Sequence, residues 1–262
     1  NDTIRLEHGS GGYLSRELVD SLIYPEIKNK DYSELNDAAE LALAGNLVFT
    51  TDSYVVDPPF FPGGDIGSLA VWGTCNDLSV CGAVPRYLTL SFILEEGFPL
   101  SELRRVLASV SKAAEEASVS IVSGDTKVVP KGKGGGIYIN TAGVGEKIFP
   151  HHLGPSEIKP GDRIILSAPV GAHGMAVMAA REGLELGAEL CSDHANLFPL
   201  CKEGFSFGRE LRFIRDATRG GLAAIVNEIV SGTDFSIELQ EEAIPVSEDV
   251  SAVAEILGLN PL

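Results

Sequence analysis

Thr51-Asp52-Ser53-Tyr54-Val55-Val56-Asp57-Pro58-Pro59-Phe60-Phe61-Pro62-Gly63-Gly64-Asp65, running on as IGSLAVWGTCNDLSVCG over residues 66–82, is the stretch on which the fold turns. Proline has no amide to donate and glycine frees the backbone, so residues 58–64 form a shaped loop, neither regular helix nor central strand. Asp65 then reads as the N-cap of a helix carrying Leu69, Ala70, Val71, Trp72 and Leu78. On that helix Asp77 follows Ala70, Gly73 and Thr74 by seven, four and three positions and precedes Cys81 by four, so small residues surround it. A carboxylate in such a groove invites a close partner. The plain alternative is a carboxylate satisfied by a backbone amide or by an arginine from another element.

Upstream, residues 47–51 read as a strand that delivers Asp52 at its end. Downstream, Ala83-Val84-Pro85 turns the chain into a second strand over 87–94, apolar enough to suggest a sheet covered on both faces. Ser101 reads as the cap of a helix running to Ala117, with Leu103, Val106, Leu107 and Val110 inward. Residues 119–122 form a strand ending in Ser123-Gly124-Asp125-Thr126-Lys127, a second carboxylate at a strand terminus with a lysine two residues on. Residues 131–136, KGKGGG, resemble a P-loop only superficially: the GxxxxGK[ST] spacing is absent and residues 137–144 alternate like a strand. They read as a mobile hairpin loop with room for a lid role.

At the N-terminus, His8-Gly9-Ser10-Gly11-Gly12 precedes a helical pattern with Leu14, Leu18, Val19, Leu22 and Ile23 on one face. Glycines ahead of a helix let backbone amides point at an anion, although a plain helix entry looks the same. A polar linker spans 28–40, and the breaker-rich segment 149–155 divides the chain into domains 1–150 and 151–262. In the second, 163–166 reads as a strand, and Gly171-Ala172-His173-Gly174 opens a helix to Ala180, with His173 placed either near a phosphate or in a local cap. Ile214-Arg215-Asp216-Ala217-Thr218-Arg219-Gly220-Gly221 leads into a helix over 222–230. There Thr218 is the cap, Gly220 and Gly221 permit close approach, and Arg219 adds charge beside Asp216. A strand over 235–239 and a short helix after Ser247 complete the reading.

Composition bounds the function. The 262 residues suit about two domains, and 44% hydrophobic residues suffice for sizeable cores. No apolar run approaches the ~20 residues of a membrane helix, and no cationic, apolar leader opens the chain, so a cytoplasmic location is expected. The chain starts at Asn1, so leading residues are expected to be missing. A net charge of -17 repels a nucleic-acid backbone. Cys75, Cys81, Cys191 and Cys201 make neither CxxC nor zinc spacing and read as reduced thiols.

Three features recur: aspartates at element ends (Asp52, Asp77, Asp125, Asp216), glycine-led helix N-termini, and sparse cations (Lys127, Arg219). Magnesium takes one or two carboxylates and completes its octahedron with substrate phosphates. The combination fits a metal-bound nucleotide, and phosphoryl transfer needs positioning and charge stabilisation more than covalent groups.

HGSGG at 8–12, TTDSYVVDPPFFPGGDIG at 50–67, NDLSVCGAVPRYL at 76–88, FILEEGFP at 92–99, GDTKVV at 124–129, INTAGVG at 139–145 and RDATRGGLA at 215–223 together resemble the HypE hydrogenase maturation factors. These belong to the aminoimidazole ribonucleotide synthetase-like (PurM-like) superfamily, and the match covers nearly the whole chain. The resemblance implies an α/β fold: an N-terminal domain pairing across a homodimer in a shared barrel-like sheet, a C-terminal α/β domain, and ATP in the cleft between them. It implies that Asp52, Asp77 and Asp216 hold Mg²⁺ against the phosphates. His8, Gly9, Ser10, Gly11, Gly12, Asp125, Lys127, His173, Thr218, Arg219, Gly220 and Gly221 then bind nucleotide.

The implied reaction is ATP-dependent dehydration of a carbamoyl group on a C-terminal cysteine to a thiocyanate. HypF is the implied carbamoyl donor and a HypC–HypD complex the acceptor of the cyanide bound for the [NiFe] hydrogenase iron. Two departures are visible. GAHG stands at 171–174 where the family usually has GDHG, and the chain stops at Leu262 where the family continues to a Pro-Arg-Ile-Cys tail. The expectation is a truncated C-terminal domain that cannot complete the reaction on itself. The rival readings are a nucleotide-binding scaffold and another superfamily enzyme such as selenophosphate synthetase; the latter commonly has a reactive Cys or Sec near the N-terminal glycine loop, and none stands beside residues 8–12.

Overall fold

The computed structural model describes residues 3–10, 12–31, 38–184, 190–218, 220–231 and 233–262. Its elements follow in order: α1 (Tyr13–Leu18), α2 (Tyr24–Ile27), β1 (Leu47–Tyr54), β2 (Phe60–Phe61), β3 (Gly64–Asp65), α3 (Ile66–Val80), β4 (Ala83–Glu95), α4 (Leu100–Ala117), β5 (Ser120–Val129) and β6 (Ile137–Lys147). Four α-helices follow in the described part of the remaining chain: α5 (Ala172–Arg181), α6 (Phe198–Gly204), α7 (Gly221–Val230) and α8 (Glu248–Leu257).

The main sheet has the order β1-β6-β4-β5, with β4 and β5 parallel through the α4 crossover and the other pairs antiparallel. Helix α3 lies on β1, β4 and β6 and packs against α4. Its start is set by Asp65, whose Oδ1 accepts from the amides of Gly67 (2.7 Å) and Ser68 (3.2 Å). Gly67 lets the two helices close up, because a Cβ there would stand 2.6 Å from the Val106 carbonyl oxygen of α4. Ile66, Val71, Leu78, Leu103, Val106 and Leu107 are fully buried, each contributing about 1.5–3 kcal/mol by leaving water.

Among the described residues, no helix packs on the opposite face of β1 and β4. Outward positions of β1 and β4 leave Leu47, Phe49 and Ile93 exposed, Phe49 to 67%. The apolar character of residues 87–94 therefore belongs to a strand covered within the chain on one face only.

Several boundaries differ from the sequence reading. Strand β1 continues to Tyr54, so Asp52 lies inside it, paired with Thr141. Strand β5 continues to Val129, so Asp125 and Lys127 face outward from a paired strand. In both cases neighbouring strands supply the ladder, and pairing overrides the low strand propensity of Ser, Gly and Asp. Pro85 sits within central β4, at the register shift between Pro85 and Tyr87 where its missing donor is tolerated. Pro99, and not Ser101, occupies the N-cap of α4. The glycine-rich tip does not close a hairpin, because β4 lies between β5 and β6. Glu95 tethers it, its carboxylate accepting from the amides of Gly132 (2.5 Å) and Gly136 (3.0 Å).

The C-terminal half has its own apolar cluster, made by Met175, Ala176, Ala179, Leu190, Val250, Val253 and Ala254. The strands expected at 163–166 and 235–239 are absent: among the described residues no segment pairs with either, and Ile165 is 88% exposed. A strand without a hydrogen-bonded neighbour gains nothing over extended coil. Among the described residues no helix is long and apolar enough to cross a membrane.

Candidate active site

The period of two along β1 turns Thr50, Asp52 and Tyr54 toward α3. Thr50 Oγ1 donates to Asp77 Oδ2 at 2.9 Å. Tyr54 packs over Gly73, where any Cβ would collide with the phenol oxygen. Its hydroxyl meets Thr74 Oγ1 at 3.0 Å, and Thr74 in turn bonds the hydroxyl of Thr141 on β6. The small residues around Asp77 thus make room for a row of β1 side chains. Asn140 steadies the Asp52 segment, its Nδ2 donating to the Asp52 carbonyl (2.8 Å) and to Ser53 Oγ (3.0 Å).

Asp77 is half-buried, and burial pushes its carboxyl above the usual range. The Thr50 hydrogen bond opposes that, while Asp216 and Asp52 push it further up. Asp216, from the segment before α7, is therefore close enough to be felt at Asp77, and also at Cys81 on the same helix. Asp77 thus feels the charges of both other proposed metal ligands. The three do not form a cage: among the described residues no three His, Cys, Asp or Glu side chains converge tightly enough to hold an ion by themselves. That fits magnesium, which uses one or two carboxylates and takes its other oxygens from water and phosphate.

A second group forms on β5. Gly9 lies directly on the strand, a Cβ there standing 2.5 Å from the Val128 amide nitrogen, so the HGSGG loop docks beside Lys127. Lys127 Nζ pairs with Asp125 at 2.6 Å and holds that carboxyl below its ordinary range. His8 is buried, and its Nδ1 accepts from the Arg5 amide at 3.1 Å. Its ring shapes the turn, and burial lowers its pKa. Gly11 and Arg219, both expected to bind nucleotide, lie outside the described residues.

The structure draws His173 into a third cluster. Its amide donates to Asp193 Oδ1 (3.1 Å), so a carboxylate already sits at the start of α5. Ser68 Oγ donates to the Asp65 carbonyl (3.1 Å) and is left to accept from His194 Nε2–H (2.8 Å). His194 Nδ1 then accepts from the Ser192 hydroxyl (2.9 Å), which in turn accepts from His173 Nδ1–H (2.9 Å). The chain runs in one direction and keeps the His194 ring neutral, and burial lowers the pKa of both imidazoles. Phe61 stands edge-on to both rings, at 5.3 and 5.5 Å. The Pro/Phe/Gly loop is thus a joint between the halves. Arg181 adds two hydrogen bonds to the Asp57 carbonyl (2.9 and 2.7 Å), and Ser192 N donates to the Pro62 carbonyl (2.8 Å).

Thr218 does not cap α7; Gly220 does, in the left-handed region at φ 77°. The Ala223 amide in the first turn of α7 donates to the Leu262 carbonyl at 3.1 Å. Sequence reasoning missed Thr50, Tyr54 and Asn140, which the alternation along β1 and its pairing with β6 would have placed beside Asp52. It also missed Ser192 and His194, which carry no local signal.

Residues 35–147 match the AIR synthase related protein N-terminal domain, and residues 159–260 match the AIR synthase related protein C-terminal domain. The carbamoyl dehydratase HypE of Azotobacter vinelandii is 46% identical over all of this chain and 77% of its own length. A crystal structure of the hydrogenase maturation protein HypE in complex with ATP superposes with a TM-score of 0.94 at 47% identity, covering 98% of this chain and 77% of that one. A HypE chain in a HypE–HypF complex superposes at 0.79 with 43% identity, covering 94% and 80%. The chain thus spans about three quarters of the length of these relatives.

Proposed function

The chain belongs to the HypE family of carbamoyl dehydratases, and from that premise we propose how its residues serve the family's reaction. The reaction is the ATP-dependent dehydration of a cysteine-bound carbamoyl group to a thiocyanate, which supplies cyanide to the [NiFe] hydrogenase iron. The carboxamide oxygen attacks the γ-phosphorus of ATP and ADP leaves. The oxygen, now a phosphate ester, departs as inorganic phosphate while the nitrogen loses its protons, and the C–N triple bond forms. Water has been removed and its elements carried off by ATP.

The observation that carries the site assignment is the meeting at half-buried Asp77 of two further carboxylates, Asp216 from the C-terminal half and Asp52 from β1, whose charges add to the effect of burial on its carboxyl. A divalent cation bound there would offset these charges and neutralise the nucleotide phosphates. Asp77 and Asp216 would hold it, with Asp52 beside them. Thr50 fixes which Asp77 oxygen is free by occupying Oδ2. Lys127 and the docked Gly9 loop would meet the phosphates on the β5 side, with Gly220 and Gly221 approaching from the C-terminal half. Positioning of this kind, with charge compensation, is what phosphoryl transfer asks of a protein.

The domain division near residue 150 agrees with the separate apolar cluster of the C-terminal half. The exposed apolar face of β1 and β4 suits pairing with a second copy into a homodimer. A HypF-type carbamoyltransferase as donor is supported by the structural relative from a HypE–HypF complex. A HypC–HypD-type acceptor and a cytoplasmic location complete the proposal. The test is ADP release by the protein carrying the family's C-terminal Pro-Arg-Ile-Cys tail, in the presence of magnesium, ATP and a HypF-type carbamoyl donor. Release dependent on the donor is expected, and release that ignores the donor would sink the reading.

A further inference from the structure

Helix α3 has a face that the metal site does not use. Ser68, Trp72 and Asn76, spaced four residues apart, form a stripe that meets the segment 192–197 of the C-terminal half. Ser68 takes the His194 ring, and Trp72 packs on that ring at 5.2 Å. Asn76 acts like a piece of strand: its Nδ2 donates to the Ala195 carbonyl (2.9 Å) and its Oδ1 accepts from the Leu197 amide (2.8 Å). One side chain thereby satisfies a backbone donor and a backbone acceptor from the other half of the molecule. Asn196 then turns the chain into α6, its Oδ1 accepting from the Phe198 amide (3.1 Å).

Asn76 is covalently next to Asp77. Asp77 belongs to the N-terminal half and Asp216 to the C-terminal half, so their separation depends on how the halves dock. The hydrogen bonds of the Asn76 amide join α3 to the C-terminal half one residue from Asp77. Magnesium demands near-ideal octahedral geometry, so a small slip at this seam would be felt as lost affinity. We propose that Asn76 is a positioning residue for the metal–nucleotide site, clamping residues 195–197 to α3 so that Asp77 and Asp216 stand at the spacing one cation needs. The inference rests on the assignment of Asp77 and Asp216 to that cation.

The experiment compares Asn76→Ala with the parent by hydrogen exchange and by calorimetric titration of ATP at graded magnesium, with Asp77→Asn alongside. Asn76→Ala is expected to lose amide protection at Leu197. It is also expected to raise the magnesium concentration for half-saturation about tenfold, as loss of an outer supporting group does, and excess magnesium should restore ATP binding. Should the alanine variant not fold, Asn76→Gln keeps both amide groups on a longer arm and is expected to move half-saturation the same way by less. If Leu197 stays protected, or if half-saturation is unchanged while Asp77→Asn shifts it, the role of Asn76 is overturned and the site assignment stands. If neither variant shifts it, the site assignment fails and the inference with it.

Discussion

Thr50 Oγ1 and Asp77 Oδ2 lie 2.9 Å apart, a single hydrogen bond that ties the edge strand β1 to α3 inside the acidic group. Burial, Asp216 and Asp52 all push the Asp77 proton on; among its neighbours Thr50 and Arg215 pull the other way. The site is therefore built against its own stability, as expected where carboxylates are kept for a cation.

That opposition fixes the sign of a pH effect. A carboxyl whose folded pKa is raised above the ordinary 3.8 binds its proton more tightly in the native state. Its contribution to stability is then fully present below 3.8 and is lost as pH rises through the raised native value. Above that window Asp77→Asn, which keeps an acceptor for Thr50, is expected to be more stable than the parent in the absence of magnesium. Thermal unfolding at pH 7 checks this, each kcal/mol gained appearing as about 2–4 °C in Tm for a chain of this size. A fall in Tm would show that Asp77 is a stabilising group and not a poised ligand.

Thr50→Val preserves shape and removes the donor. The carboxylate loses the hydrogen bond that favours its charged form, so its pKa rises further. Magnesium-dependent ATP binding is expected to weaken severalfold at a pH low in the window where Asp77 titrates and to recover toward the parent value at a pH well above it. A loss of equal size at both pH values would place the effect in packing.

Gly9→Ala puts a methyl group 2.5 Å from the Val128 amide nitrogen, closer than real side chains come. The glycine loop must lift off β5, away from Lys127. Nucleotide affinity is expected to fall about tenfold or more, a loss of roughly 1.4 kcal/mol, with little change in the denaturant midpoint. Titration calorimetry beside a urea melt separates the two.

Phe49→Glu places a charge on the bare sheet face, on its edge strand β1, where Phe49 is 67% exposed. If that face pairs with a second copy, sedimentation velocity should show the parent as a dimer and the variant as a monomer. An unchanged distribution would assign the face to another use.

Much of this was legible in the sequence, for local reasons. Asp65 does cap α3, the Pro/Phe/Gly run is neither helix nor central strand although β2 and β3 pair within it as a short two-stranded sheet, and the core face of α4 falls where the period of Leu103, Val106, Leu107 and Val110 put it. The small residues around Asp77 announced a close neighbour, and the neighbour the structure shows is the β1 row. What failed was non-local. Strand lengths at Asp52 and Asp125 were set by partner strands, and the segments 163–166 and 235–239 found no partner among the described residues. The joint that gives the Pro/Phe/Gly loop its purpose depends on His194, 126 residues from Ser68, and no motif announces a contact of that reach.

The central claim is that a divalent cation, held by Asp77 and Asp216 across the two halves, couples the protein to its nucleotide. Calorimetric titration of ATP with and without magnesium, on the parent and on Asp77→Asn, tests it most directly. The account predicts that magnesium strengthens ATP binding to the parent and that Asp77→Asn loses this enhancement while keeping its fold. Equal enhancement in both proteins would contradict it.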